Sequence, residues 1–302
     1  PSPSNNPRRL QGKPSPFFLI FRPMKCPHCQ TDLPPEARFC FHCGAPQQTA
    51  RRHPDEPPRL DLRADVEQQV VDQFFGALRR RLEEEHDPHD YQAYAERLYE
   101  SGFRDMVQRR AGQLAARLDR EDNPPAYLIN RLLHETNEEL LDYFLILHCR
   151  DLNAIPLPEA ILSYQQADWE SVDLYQMVLD YLELEEEEET VYVDFLKMPM
   201  DKLRNAGRSF LFPEKQERIL LICDQTLFGS GKEGFALTEK GIYWKAHLEK
   251  ARLVYYEQLD TIERKEDWIT INGHFFNVNP SLNLKMLKLL KRIGMMVGVR
   301  EG

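Results

Sequence analysis

The chain has 302 residues, of which 42% are hydrophobic and 29% charged, with 21 Pro against 14 Gly. That length suits about two domains of ordinary size, and no apolar run approaches the roughly 20 residues of a membrane-spanning helix. The formal charge of −10 is segregated. Residues 1–60 carry 9 Lys+Arg against 4 Asp+Glu, residues 61–190 carry 12 (all Arg) against 31, and residues 191–302 carry 18 against 14. Such blocks predict modules with different surfaces. The acidic middle repels nucleic acid and anionic lipid, which leaves only the two mildly basic ends for polyanions. Phe17–Phe21 is too short for a signal-peptide core and no small-residue cleavage site follows it. The expected location is therefore the cytoplasm.

Residues 1–23 are rich in Pro, Ser and Asn without periodicity and read as a disordered extension. Met24 stands directly before the first motif and is a candidate for the true start. Cys26-Pro27-His28-Cys29 and Cys40-Phe41-His42-Cys43-Gly44 then form two Cys-x-x-Cys pairs with ten residues between them. Two such turns can bring four thiolates tetrahedrally around Zn²⁺, with Zn–S distances of about 2.3 Å. A unit this small buries little core, so metal binding would supply most of its folding energy. Disulfides are disfavoured without export, and a redox dithiol needs a βαβ context that is missing. An iron site with the same ligands normally sits within a larger dedicated fold. Zn²⁺ on Cys26, Cys29, Cys40 and Cys43 is the reading that remains, with His28 and His42 pointing away from the metal. Met24 to Gly44 resembles the short zinc ribbon at the front of many bacterial multidomain proteins. Such ribbons bind nucleic acid, bind proteins or staple a terminus.

The predicted ribbon spans 24–46 and a Pro-rich linker follows at 47–60. Residues 61–183 read as an acidic helical domain. Val66, Val70, Val71, Phe74, Phe75 and Leu78 recur at helical spacing, and Leu98, Phe103, Met106, Val107, Leu114 and Leu118 continue it, broken at Ser101-Gly102. Leu128, Leu132, Leu140, Leu141, Phe144 and Leu147 mark the next helix, and shorter helices are predicted near 159–166 and 171–182. Residues 184–194, with Glu185–Glu189 unbroken, read as a solvated acidic junction. From 195 to 295 the period changes. Strands are predicted at 219–223, 235–237, 242–244, 253–256, 268–271 and 274–278, the last two joined by Asn272-Gly273, a strong hairpin signal. One amphipathic helix closes the chain through Leu282, Met286, Leu289, Leu290 and Ile293, with Lys285, Lys288 and Lys291 on its other faces. This order resembles the bacterial pleckstrin-homology-like barrel. That resemblance implies a binding platform for lipid headgroups, peptides or proteins, and no catalysis. The fold class is thus multidomain α+β: a zinc ribbon, a central helical domain and a C-terminal antiparallel β-barrel of PH-like type with a closing helix.

No catalytic residue stands out. Gly229-Ser230-Gly231-Lys232-Glu233-Gly234 fits G-x-G-x-x-G, but a strand follows where a dinucleotide site needs a helix. The loop retains the means to bind an anion through Lys232 and a nest of N–H groups. His86-Asp87-Pro88-His89-Asp90 falls at a helix boundary, where Asp87 serves as a cap. His134-Glu135 lacks the second His of a zinc-protease motif. Cys149 and Cys223 lie in apolar runs and read as buried thiols. Tyr243, Trp244, Tyr255 and Tyr256 belong to the core or to a stacking surface. The chain is therefore expected to be a non-catalytic adaptor or scaffold that docks protein partners through ribbon and PH-like domain. The alternative is a nucleic-acid-binding regulator using the ribbon with Arg8, Arg9, Arg38, Arg51 and Arg52. A further option is peripheral membrane contact through Lys285, Lys288, Lys291 and Arg292.

Overall fold

The computed structural model describes residues 24–25, 32–33, 59–86, 91–193 and 198–298. The chain divides between Asp55 and Glu56 into two units. In the first, β1 (Met24–Lys25) and β2 (Asp32–Leu33) pair antiparallel, Met24 opposite Leu33 and Lys25 opposite Asp32. The four ligand cysteines, the Arg residues assigned to nucleic acid, the extension 1–23 and nearly all of the linker lie outside the described residues.

In the second unit, α1 (Val66–Glu85) starts where the Asp65 carboxylate accepts from the Gln68 N–H at 3.0 Å, an N-cap that satisfies an otherwise orphaned donor. α2 (Tyr91–Glu100) breaks from α3 (Phe103–Asp119) at Gly102, whose φ of 69° suits glycine. α4 (Ala126–Leu147) completes a helical layer. The stripes read from the sequence meet in its core through Val70, Phe74, Leu78, Leu98, Phe103, Val107, Leu132 and Phe144. After a 3-10 turn at Glu159–Tyr164 comes α5 (Leu174–Leu182), capped by Asp173.

The sheet region opens with β3 (Thr190–Tyr192) and α6 (Met200–Ser209). β4 (Ile219–Asp224), β5 (Gly234–Thr238), β6 (Gly241–Lys245) and β7 (Arg252–Tyr255) follow. They form an antiparallel sheet in the order β3-β4-β5-β6-β7. β8 (Ile262–Lys265), β9 (Trp268–Ile271) and β10 (His274–Phe276) form a second antiparallel sheet, in which Asn272 and Gly273 take φ of 51° and 76° as their hairpin demands. α7 (Pro280–Gly298) ends the described chain.

Alternation governs the larger sheet beyond a register shift between Ile219 and Leu221. Leu221, Cys223, Phe235, Leu237, Ile242 and Trp244 enter a core shared with α5, α7 and the smaller sheet. Ile222, Ala236 and Tyr243 point the other way, onto Met198, Ala206, Phe210 and Leu211 from α6 and its flanks. The central strands are therefore buried on both faces, which their near-continuous apolar sequence reflects.

Three expectations change. No closed barrel forms: among the described residues the two sheets share no strand pair. The chain leaves the sheet after β7 in a 3-10 turn at Tyr256–Gln258, where Tyr256 hydrogen-bonds the Thr238 carbonyl at 3.0 Å and Leu259 enters the core. The acidic stretch 184–194 is no solvated spacer, since it contains β3, which pairs with β4. Nor do 61–183 and 195–295 stand apart, because Ile146, Leu157, Ile161 and α5 share the core of the sheets and α7.

Candidate docking site and metal centre

Cys26 and Cys29 occupy the sequence between β1 and β2, with Cys40 and Cys43 beyond. Four thiols in two Cys-x-x-Cys pairs are the donor set that structural Zn²⁺ takes. Among the described residues no group of three or more His, Cys, Asp or Glu is placed to hold a metal.

The cations assigned to a membrane surface are engaged inside the fold. Lys285 Nζ donates to Glu187 at 2.8 Å and lies 3.6 Å from Glu183. Glu187 also accepts from Ser281 at 2.7 Å, and Asn279 bridges Glu187 and Glu189 at 3.1 and 2.8 Å. Burial pushes the Glu187 carboxyl up, but these donors outweigh it and its pKa is lowered. Two of the five glutamates in the acidic run, Glu187 and Glu189, thereby dock against the start of α7, where the helix dipole favours negative charge. Further along, Lys288 reaches Asp142 at 2.5 Å and Glu85 at 3.5 Å. Arg81 joins both, at 3.0 Å from Asp142 and 3.3 Å from Glu85, and also pairs with Glu138. Lys291 pairs with Glu84 and Glu85, and Arg292 donates to the Gln165 carbonyl. Burial by itself raises the Glu85 pKa, yet Arg81, Lys288 and Lys291 hold the carboxyl far below its usual range. No hydrogen bond reaches either Glu85 oxygen, so ion pairing alone compensates its burial. Bilayer contact through Lys285, Lys288, Lys291 and Arg292 would require dismantling this network.

Other singled-out residues are also structural. His86 closes α1 through its N–H to the Leu82 carbonyl, and its ring lies 5.9 Å from that of Tyr94. Burial lowers its pKa to about 4. Asp87, Pro88, His89 and Asp90 lie outside the described residues. Cys149 and Cys223 are buried, which pushes the Cys149 thiol up to about 12 and the Cys223 thiol up as well, unlike a nucleophile. Tyr243, Trp244 and Tyr256 are core residues. Trp244 Nε1 donates to the Phe275 carbonyl at 2.8 Å and Tyr243 to the buried Glu217 at 3.1 Å, so neither ring is a stacking platform.

The glycine loop holds its own anion. Asp224 Oδ1 accepts from the Thr226 N–H at 3.0 Å and from its hydroxyl at 2.5 Å, while Oδ2 accepts from the Gly231 N–H at 2.9 Å. The Thr226 hydroxyl in turn accepts from the Ser230 N–H at 2.5 Å. A carboxylate of the chain itself thus accepts from the Thr226 and Gly231 N–H groups that an anion in this nest would use. From α6, Asn205 holds the Ser230 carbonyl and Ser209 the Lys232 carbonyl.

This bracing presents Leu227 and Phe228 at 96% and 95% exposure. The register places Asp224, Gly234 and Lys245 side by side and Arg252 opposite Trp244, so the loops 225–233 and 246–251 share one end of the sheet. The second loop carries Leu248, 90% exposed and held at φ 62°, a conformation uncommon for a bulky residue. Lys232 and Lys250 are exposed on the same two loops. Sequence reading missed this site, because Leu227-Phe228 within a loop is indistinguishable from a turn that folds back onto the core.

Residues 25–47 match the zinc-ribbon domain family, which supports the N-terminal ribbon and a zinc-binding role. No curated protein and no solved structure matches the chain. Among the described residues no helix is long and apolar enough to cross a membrane.

Proposed function

We propose that the protein is a zinc-binding, non-catalytic adaptor whose ribbon and sheet region each dock a protein partner. The observation that carries this reading is the trio Leu227, Phe228 and Leu248 at one end of the larger sheet. Fully exposed apolar side chains on a loop fixed by internal hydrogen bonds gain nothing within the chain. Burial against a partner would return about 1.5–3 kcal/mol for each. In the metal unit, Cys26, Cys29, Cys40 and Cys43 would hold Zn²⁺ as structural thiolate ligands. The bound ion would supply the folding energy that so short a segment lacks. The two antiparallel sheets and α7 are consistent with a PH-like platform, a fold commonly associated with docking.

A nuclease-treated pull-down from source cells tests the proposal, comparing wild type with Cys40→Ser and with the double variant Leu227→Ser/Phe228→Ser. A protein captured by wild type and lost with either variant is the expected result. Nucleic acid recovered alone, and lost with Cys40→Ser, would replace the adaptor by the nucleic-acid reading. Cys40→Ser should also release zinc while leaving the helical circular dichroism in place. A global loss of helix signal on chelation would contradict modular folding of the ribbon.

A further inference from the structure

A cleft of about 610 Å³ opens where α3, α4, the segment 165–169 and α7 meet. Arg110 and Arg117 from α3, Arg131 from α4 and Arg292 from α7 line it, together with the half-buried Trp169. Residues 61–190 contain 12 Arg against 31 acidic residues, yet three of those arginines converge here and a fourth joins them from the far end of the chain. The carboxylates of the lining, Glu135, Glu139 and Asp168, are one fewer than the guanidinium groups. The cleft is thus a cationic spot within the most acidic part of the molecule.

Its guanidinium groups are incompletely satisfied. Arg110 pairs with Glu139. Arg131 Nε stands 3.7 Å from Glu135, beyond hydrogen-bonding distance. Nε of Arg131 and Nε of Arg292 are both shielded from solvent and have no acceptor. Arg117 is exposed and has no ion-pair partner among the described residues. Buried donors are normally paired, and gathered guanidinium groups repel one another unless an anion lies between them. Their planar forks match the paired oxygens of a carboxylate or phosphate. The volume falls within the roughly 300–1,000 Å³ of small-molecule sites, and Trp169, Met295 and Met296 supply an apolar wall.

We propose that this cleft binds a small organic anion carrying at least two oxyanion groups on an aromatic or apolar body. The oxyanions would engage Arg117, Arg131 and Arg292, while the body would pack on Trp169. Carboxylates and phosphates share this chemistry, and the choice between them is an arm of the test. Because helices of the helical layer and α7 both line the cleft, an occupant would tie them together and raise the melting temperature.

The full chain should be titrated calorimetrically with ADP, isophthalate and inorganic phosphate, with melting temperature followed in parallel. Saturable binding of ADP or isophthalate, tighter than that of inorganic phosphate and raising the melting temperature, is the expected result. ADP as the stronger ligand assigns the oxyanion as phosphate, and isophthalate as the stronger assigns it as carboxylate. Arg117→Glu should weaken binding by about tenfold or more, and its exposure means that the ligand-free melting temperature should hold. Arg109→Glu, on the same helix outside the cleft, should leave affinity unchanged. Absence of saturation by either organic probe at millimolar concentration would overturn the proposal. Equal losses for the two charge reversals would also overturn it, by reducing the binding to diffuse attraction.

Discussion

Where α7 meets α1 and α4, Lys288 is 5% exposed, whereas at the loop end of the larger sheet Phe228 is 95% exposed. Each is the reverse of what its side chain prefers, and the two are sustained differently. Lys288 is compensated from within, by Asp142 and Glu85 on two other helices. Phe228 has no such return: hydrogen bonds through Asp224 and Thr226 fix the backbone, while the ring stays in water. The first inversion is a closed structural account, and the second is open until something outside the chain covers it.

Substitutions should separate these cases by size and sign. Lys288→Met leaves the buried Glu85 and the part-buried Asp142 with one cation fewer and should cost about 3–5 kcal/mol in urea unfolding, as breaking a buried pair does. Pairing it with Glu85→Leu should recover part of that loss, and a neutral single variant would show that the network is not stabilising. Acid should act on the same region. The Glu138 carboxyl, which burial alone would raise, is held at about 2 by Arg81 and Lys288. A depressed folded-state pKa contributes stability that is complete above the ordinary carboxylate range and is lost as pH falls from about 4.5 toward 2. Titration of the wild type and of Lys288→Met by urea midpoint should show the steeper acid loss in the wild type.

At the sheet end the effects should be smaller. Asp224→Ala removes the acceptor for two backbone N–H groups and should cost about 1–3 kcal/mol, with faster hydrogen exchange at Gly231 as its local signature. Leu227→Ser and Phe228→Ser should lie within about 0.5 kcal/mol of wild type while losing the captured partner. A large destabilisation there would mean that the two side chains pack inward in solution, and the contrast with Lys288 would collapse.

Much of the fold could be read from periodicity. Val70, Phe74 and Leu78 on α1, and Leu221, Phe235 and Ile242 in the larger sheet, enter cores as their spacing implies. α6 was not legible, because Leu203 and Ala206 give its ten residues too short a stripe. β8 was missed for a similar reason, since Ile-Glu-Arg-Lys has one apolar residue and Ile262 and Arg264 are only partly covered. The α7 lysines were read on faces away from its Leu stripe, and Lys285 and Lys288 are buried there, 3% and 5% exposed. What the sequence concealed was that the acidic helices bring Glu85, Glu138 and Asp142 to meet the lysine of α7 and Arg81. Pairing of charges across such distances leaves no local pattern. The ribbon was the opposite case, carried entirely by local Cys-x-x-Cys spacing, and residues 25–47 match the zinc-ribbon domain family.

The pairing of Lys288 with Asp142 also imposes an order in time. The two residues are 146 positions apart, so at about 5–20 residues per second a ribosome releases the lysine some 7–30 s after the aspartate. Throughout that interval the nascent helical layer carries Glu85, Glu138 and Asp142 with Arg81 as the sole cation of their cluster. Until Lys288 arrives, burying these carboxylates would leave them short of a cation, which disfavours collapse at the future seat of α7. α7 brings both the lysine and the apolar stripe that close the core, so completion of the fold waits on the emergence of that helix.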